Sequence, residues 1–485
     1  MGRLFTLSTS LRGRLLIVGS LAGLSALGYM LYIFGLPFFE GRQRQQPIIQ
    51  VVEDDLLLTP PSSSSLPGLV VTTNGTAGIV NDEDHRLSVS NPLPLPRVLL
   101  VSAFFQLSES KPIKDKWLQH FLGQVTNDIY IFTTPNLESQ ILQHRRSFSN
   151  NLKITVDTSY PTPFDIPPLK GKEDAYTMMK KKDRKKSKSH TPELFALRNS
   201  KPFFLHTALQ KSQVNATSVN YDYVFWNDVA NFHEDHQYRE WPSPSRVREV
   251  WEEGARITGT GADELMFIPM WGLPHPTFVF WDENMGPIDN DFSQGKLCIH
   301  SNNFPLGYHI THPFGKETFF GGPPKAIDWY TRTFYAYHDK YLSLGVFVGK
   351  DQATANALLV LFPDRFITVW YNDPKAPAHL QLNRAATTTT TTTTVQQSFL
   401  GQCNSERFYY QFWLADEETK EKMRDVWIQK QNRWKLWGWW RRKDRVRCQS
   451  TRVLAMKDVL RRPFGDDWEP PQASIDVPST PTWVL

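Results

Sequence analysis

The stretch Tyr221-Asp222-Tyr223-Val224-Phe225-Trp226-Asn227-Asp228-Val229-Ala230-Asn231 decides how this chain is interpreted. Its centre, Tyr223 to Trp226, is an unbroken β-branched and aromatic run, which predicts a buried strand. The run ends abruptly at Asn227 and Asp228, so a carboxylate follows the strand directly. In an open α/β sheet, ligands bind in the crevice beyond the carboxyl ends of the strands. An Asp at that place can hold a divalent cation, which can in turn hold a diphosphate. The alternative is that Asp228 caps the following turn or pairs with a nearby base.

The composition is that of a globular protein. The chain has 485 residues, of which 40% are hydrophobic and 16 are Trp, so it can bury one large core or two smaller ones. A net charge of +5 is small for this length and argues against a nucleic-acid partner, which requires a larger basic excess on one face. The three cysteines, Cys298, Cys403 and Cys448, are too few for a disulfide scaffold and form no C-x-x-C pair. They are compatible with one disulfide and one odd thiol.

The N-terminal segment predicts the compartment. Residues 15–39 carry no charge and are long enough to cross a bilayer as a helix, which predicts a transmembrane anchor after a cytoplasmic tail of residues 1–14. A cleaved signal peptide is the competing interpretation, although the apolar segment is long for one. With the N-terminus inside, the remaining chain lies in the lumen or outside the cell. The glycosylation sequons at Asn74 and Asn215 are compatible with that side.

Three segments are predicted to lie outside the core. Residues 40–96, with Pro60-Pro61 and a serine run, form a disordered stem that holds a folded domain away from the membrane. Residues 170–191 contain the basic run Lys180 to Lys188. In a chain with a membrane anchor this run is expected to lie in a solvated surface loop; without an anchor it would suggest a nuclear signal. Residues 383–398 contain eight consecutive threonines and form a low-complexity insertion.

The folded part, residues 97–485, begins with an alternation of strands and helices. The predicted elements are a strand at 98–105, a helix at 117–122, a strand at 128–133, a helix at 137–143 and a strand at 152–156. This βαβ pattern predicts a nucleotide-binding α/β domain with a mostly parallel sheet. The chain has neither a G-x-G-x-x-G after the first strand nor a P-loop motif, so neither of those nucleotide sites is supported. A further helix at 194–209 leads to the strand that ends at Asp228.

Two later stretches supply further candidate residues. Phe319-Phe320-Gly321-Gly322 places paired glycines in a predicted loop at a strand end, where backbone can approach a ligand closely; an ordinary turn is the alternative. Gly349-Lys350-Asp351-Gln352 opens a predicted helix, and a carboxylate in the first helical turn is favoured by the helix dipole whatever its function. Downstream, residues 416–442 predict an amphipathic helix that either packs on the core or binds a membrane surface or partner.

Taken together, these stretches resemble the HtrL/YibB family, a glycosyltransferase-like group. The resemblance lies in the first strand, in Ser200-Lys201-Pro202-Phe203 ahead of the strand ending at Asp228, in Phe319-Phe320-Gly321-Gly322, and in Asp351-Gln352 before Leu361-Phe362-Pro363-Asp364-Arg365-Phe366. It covers residues 97 to 372. Residues 403–485 resemble an extension found in fungal membrane-anchored members. The resemblance implies a GT-A-like α/β domain.

The resemblance also implies roles for the candidate residues. Asp228, with Asn227 and Lys201, would bind the diphosphate of a nucleotide-sugar donor, and Gly321 and Gly322 would line the donor or acceptor sugar. Asp351 and Gln352 would be catalytic, with Asp351 as the base. A divalent metal, Mn²⁺ or Mg²⁺, would bind Asp228 and Asn231. Enzymes of this type often carry Asp-x-Asp; this chain has only one carboxylate there, which puts strict metal dependence in doubt.

The function expected from these features is transfer of a sugar from a nucleotide-sugar to a glycan or glycoconjugate. The protein would be a single-pass type II membrane protein of the Golgi or another secretory membrane, with a lumenal C-terminal domain. In an oxidising lumen, Cys403 and Cys448 are the expected disulfide pair, because both lie downstream of the main sheet. The alternative is a catalytically inactive lumenal carbohydrate-binding or scaffold protein with the same fold.

Overall fold

The computed structural model describes residues 94–107, 115–146, 152–183, 187, 190–214, 220–232, 234–270, 272–288, 318–370, 373, 375, 409–423, 425–426, 452–481 and 483. Within these ranges the strands are β1 (Val98–Phe104), β2 (Asp128–Thr133), β3 (Ile154–Asp157), β4 (Tyr223–Asn227), β5 (Met266–Phe267), β6 (Phe319–Gly322), β7 (Phe366–Val369) and β8 (Val453–Ala455). They form one sheet in the order β3-β2-β1-β4-β6-β5-β7-β8.

The α-helices cover both faces of this sheet. They are α1 (Asp115–Leu118), α2 (Glu138–Arg146), α3 (Glu173–Lys182), α4 (Pro192–Asn199), α5 (Lys201–Val214), α6 (Pro244–Thr258), α7 (Pro324–Ser343), α8 (Asp351–Leu361), α9 (Tyr409–Trp413) and α10 (Met456–Phe464). A π-helical turn, Gln119–Gln124, continues α1.

The sheet formed by the described strands is mixed, with four parallel and three antiparallel pairings. Strands β1 to β4 pair in parallel, as the βαβ pattern predicts. Strand β6 is antiparallel to both β4 and β5, and β8 is antiparallel to β7. The prediction of a mostly parallel sheet is therefore confirmed for β1 to β4, whereas the other half is mixed, because β5 and β7 pair in parallel there. The C-terminal extension belongs to the same sheet, since β8 is its edge strand.

Alternating residues of the central strands pack into two separate apolar layers. Leu99 and Val101 of β1 and Trp226 of β4 face one layer, which includes residues of α4, α5, α7 and α8. Val98 and Leu100 face the other layer, with Trp251 of α6. This period of two follows from the pleat of a strand, and burial on both faces explains why the strands read as continuous hydrophobic runs.

Two predicted segments differ from the structure. The predicted basic loop at 170–191 contains α3, because Tyr176 and Met179 at helical spacing are buried against the core. Its lysines at 180–182 lie in the last turn, where cations are favoured by the helix dipole. The single predicted helix at 194–209 is divided into α4 and α5 at Ser200, because Pro202 has no backbone N–H to continue the ladder.

Candidate active site at the carboxyl end of β4

The fold has its topological switch point between β1 and β4. The chain leaves β1 towards β2 and β3 on one side, and returns to β4 on the other side. In open α/β sheets this reversal opens a crevice at the carboxyl ends of the two strands, where ligands bind. Here the Ser102 hydroxyl of β1 donates to the Asn227 carbonyl at 2.6 Å, which ties the two strand ends together. Asp228 is the next residue, so its carboxylate stands at this crevice.

The turn after β4 is fixed by polar contacts of its backbone. Asp228 donates its N–H to the Thr318 carbonyl at 3.0 Å, just before β6. The side-chain nitrogen of Asn231 donates to Asn227 Oδ1 at 3.0 Å and to the Thr318 carbonyl at 2.7 Å. The Gln411 amide of α9 donates to the Asn231 carbonyl at 3.1 Å. The C-terminal extension therefore helps to hold the turn that carries Asp228.

The helix order brings two further charged residues to the same edge. In a parallel α/β sheet, the helix that connects two strands begins near the carboxyl ends of the strands and runs back to the start of the next strand. Lys201 is the first residue of α5, which precedes β4, and Asp351 is the first residue of α8, which precedes β7. Both helices lie in the apolar layer that Trp226 faces. Three stretches that are far apart in sequence thus meet in one place.

Lys201 lies between the two carboxylates. Its Nζ is 2.9 Å from Asp351 Oδ2 and 3.4 Å from Asp228 Oδ2. The ammonium also lies 5.9 Å from the centre of the Trp226 ring. Only 11% of the Lys201 side chain and 9% of the Asp351 side chain are exposed, whereas Asp228 keeps 28%. Asp228 is thus the member of the cluster with the most access to a ligand.

Trp226 also positions Asp228 directly. Its indole N–H donates to Asp228 Oδ1 at 2.7 Å. Residues two apart on a strand lie on one face, so the sequence already places Trp226 and Asp228 on the same side. Sequence analysis missed this contact, although the Trp-x-Asp spacing at the strand end is a signal that could have found it. Indole N–H groups donate only, so a partner for Trp226 has to be an acceptor.

The electrostatics of the cluster hold Asp228 in an unfavourable environment. Burial raises the pKa of Asp228 above its ordinary value, and the nearby charge of Asp351 raises it further, while Lys201 and the Trp226 N–H act in the opposite direction. A folded state that binds this proton more tightly than the unfolded chain loses stability as the pH rises through the raised pKa. The ionised carboxylate of Asp228 therefore costs stability at neutral pH, a trade-off that is common at functional sites.

We expect Asp228→Asn to be more stable than the wild type at pH 7, because the amide removes a poorly solvated charge. Below about pH 3 the wild-type Asp228 is protonated in both folded and unfolded states, so the difference should shrink. Thermal melts of both proteins from about pH 3 to pH 7 measure this gap. A gap that stays constant or reverses across that range would show that Lys201 already compensates the charge of Asp228.

The two predicted glycines do not lie in a loop, and this prediction is wrong. Gly321 and Gly322 are buried inside β6, opposite Phe225 and Val224, which are away from the carboxyl end of β4. A Cβ at Gly321 would be 2.2 Å from the Val224 carbonyl oxygen, and one at Gly322 would be 2.7 Å from the Leu265 carbonyl oxygen. The close approach that the glycines permit is therefore to strands β4 and β5. Their proposed contact with a sugar stays a prediction that this position does not favour.

The ligand set for a divalent cation is incomplete among these residues. Such a cation takes about six oxygen ligands. Asp228 Oδ1 already accepts from Trp226, while Asp228 Oδ2 and Asp351 Oδ2 already face Lys201. The Asn231 amide nitrogen is committed to Asn227 and Thr318. In the part of the chain that the structure describes, no group of three or more His, Cys, Asp or Glu side chains is placed to hold a metal. The described residues at this edge of the sheet therefore do not fit a resident metal ion.

Comparisons with known proteins give only distant similarities. No family model matches the chain. No curated protein sequence matches it either. The solved structures to which it is similar include glycosyltransferases. Mouse xyloside xylosyltransferase 1, in its apo form, has 11% identity over 56% of this chain and 84% of that chain, with a TM-score of 0.29.

Two fungal enzymes give similar values. Core-mannan synthase A (CmsA/Ktr4) from Aspergillus fumigatus, solved in its Mn/GDP form, has 11% identity, covers 57% of this chain and 72% of its own, and has a TM-score of 0.32. The mannosyltransferase Ktr4p from S. cerevisiae, solved with GDP, has 11% identity, covers 54% and 66%, and has a TM-score of 0.29. At TM-scores this low the similarity supports no conclusion about function, which has to rest on the site itself.

Several predicted features lie outside the described residues. They are the anchor at 15–39 with the tail at 1–14, the stem up to residue 93, the insertion at 383–398, the sequons at Asn74 and Asn215, and the three cysteines. None of the described helices is both long and apolar enough to span a bilayer. The membrane anchor, the secretory compartment and the Cys403–Cys448 pair therefore stay predictions. Gln352 is described, next to Asp351 in α8, and its catalytic role also stays a prediction.

Proposed function

We propose that this protein is a glycosyltransferase of GT-A type, which moves a sugar from a nucleotide-sugar donor to a hydroxyl group of a glycan or glycoconjugate. One observation carries the proposal: a buried ammonium, Lys201, is held between two carboxylates, Asp228 and Asp351, at the switch point of an open α/β sheet. The switch point is where such sheets bind nucleotides. Sugar transfer needs a cation for the leaving diphosphate and a base for the acceptor.

In this proposal the donor diphosphate lies against Lys201, since an ammonium is a compact point charge that suits phosphate oxygens. Asp228 accepts hydrogen bonds from hydroxyl groups of the donor, because an ionised carboxylate is an acceptor only. Asp351 removes the proton of the acceptor hydroxyl while that oxygen attacks the anomeric carbon. A single displacement of this kind inverts the anomeric centre.

The proposal predicts that one nucleoside diphosphate stabilises the protein against heat. A ligand present at a hundredfold excess over its Kd adds about 2.7 kcal/mol to the stability of the folded state. We therefore expect one member of a panel of ADP, CDP, GDP, TDP and UDP to raise the Tm of the purified full chain by several degrees. The matching nucleoside, which lacks the diphosphate, is the control and should give a much smaller shift. If no diphosphate raises the Tm of the folded protein, the proposal is wrong.

A further inference from the structure

Lys201 occupies the space between the two carboxylates of this site. Its Nζ lies 2.9 Å from one carboxylate and 3.4 Å from the other, so it already bridges Asp351 and Asp228. A divalent ion between the same two carboxylates would meet the ammonium at close range. Two cations repel strongly in a site that is shielded from water. One of them has to be absent or displaced.

Displacing the lysine is disfavoured by its surroundings. Lys201 is the first residue of α5 and its side chain is nearly nine-tenths buried. The ammonium would lose both carboxylates and its place over the Trp226 ring, and two buried carboxylates would be left facing each other. Lys201 is thus a built-in cation of this site.

We propose that Lys201 replaces the divalent metal, so that this protein binds nucleoside diphosphates and transfers sugar without a metal ion. The inference rests on the proposed function, because it identifies the cation of that same site. It explains why a single carboxylate follows β4. A second one would serve as a metal ligand, but here the position two residues beyond Asp228 is Ala230, and Asn227 is tied into the turn by Asn231.

The transfer step balances in charge around Lys201. The acceptor oxygen forms a bond to the anomeric carbon, and the bond from that carbon to the phosphate oxygen breaks, with its electron pair going to the phosphate. The acceptor proton moves to Asp351. Negative charge therefore disappears from Asp351 as it appears on the diphosphate, and Lys201 exchanges one anionic partner for another. The ammonium stays protonated throughout, so no external cation is required.

The test is the metal dependence of binding by the full chain. Titration calorimetry measures the Kd of each of the five nucleoside diphosphates, in EDTA and with excess Mn²⁺, for wild type, Lys201→Met and Lys201→Arg. We expect one diphosphate to bind the wild type in EDTA, with no more than about threefold improvement on adding Mn²⁺. Lys201→Met should weaken that binding about 10- to 100-fold, the effect of one charge-assisted contact, and Lys201→Arg should restore part of it. Lys457→Met is the control, since it removes a lysine that pairs with Glu469 at 2.8 Å.

The other outcomes contradict the inference in distinguishable ways. Binding that requires Mn²⁺ would overturn metal independence and leave the proposed transferase intact. Binding in EDTA that Lys201→Met leaves unchanged would overturn the role of Lys201. No binding under either condition would contradict the proposed function and, with it, this inference. The EDTA comparison uses only the wild type, so it decides metal independence even if Lys201→Met does not fold, and Lys201→Arg then tests the role of Lys201.

Discussion

Replacing Asp351 by Asn is expected to reduce the turnover of sugar transfer by about 10²- to 10⁴-fold, the contribution of a positioned general base. The amide has the same shape as the carboxylate but cannot accept the acceptor proton. Its side-chain oxygen still faces the Lys201 ammonium, whose Nζ lies 2.9 Å from Asp351 Oδ2 in the wild type. The Kd for the nucleoside diphosphate should therefore change by only a few fold, so that the loss falls on kcat.

The measurement is release of the nucleoside diphosphate from the donor that binding identifies, with and without a mixed pool of glycan acceptors. Asp364→Asn is a matched control, because Asp364 lies just after α8 and 57% of its side chain is exposed. That variant should keep full turnover. Full turnover by Asp351→Asn itself would exclude Asp351 as the base and would return the assignment to other groups, with Asp228 the first to examine.

Gly321→Ala is expected to destabilise the fold by about 3 kcal/mol or more, at the upper end of what one added methyl group does in a packed interior. Its Cβ would be 2.2 Å from the Val224 carbonyl oxygen and 2.7 Å from the Phe225 Cα. Both are backbone atoms of β4 and cannot move aside alone. Because β4 carries Asp228, the strand that would have to shift is the one that positions the site.

The unfolding midpoint in urea measures this effect against Gly171→Ala. Gly171 has a φ of 75°, and no atom lies within 4 Å of the position of its Cβ, so only backbone strain of about 1 kcal/mol is expected there. A midpoint for Gly321→Ala equal to that of Gly171→Ala would mean that β6 does not approach β4 this closely.

The parts of the site that sequence analysis predicted are those that follow from strand and helix direction. Asp228 directly follows a continuous hydrophobic run, and Lys201 and Asp351 begin helices that precede strands. In an α/β sheet these three positions share one edge, so their assembly follows from local patterns once the fold class is known. The contacts between these residues depend on the packing of α5 and α8. Only that packing places Lys201 between the two carboxylates.

The parts that were mispredicted depend on contacts between distant segments. Phe319-Phe320-Gly321-Gly322 has the composition of a turn, and only the proximity of β4 and β5 shows why glycine is needed inside a strand. The four residues of β6 likewise do not indicate by themselves that this strand runs antiparallel to β4. Helix α3 was missed because the lysine run that begins in its last turn is typical of a solvated loop. In each case tertiary packing outweighed the local signal.

We propose that Lys201, Asp228 and Asp351 form the site of a nucleotide-sugar transferase. A crystal structure of the protein with the nucleoside diphosphate that raises its Tm most tests this proposal. We expect a phosphate oxygen within hydrogen-bond distance of Lys201 Nζ, with the diphosphate at the carboxyl ends of β1 and β4. A diphosphate bound elsewhere, with Lys201 still held by both carboxylates, would contradict it.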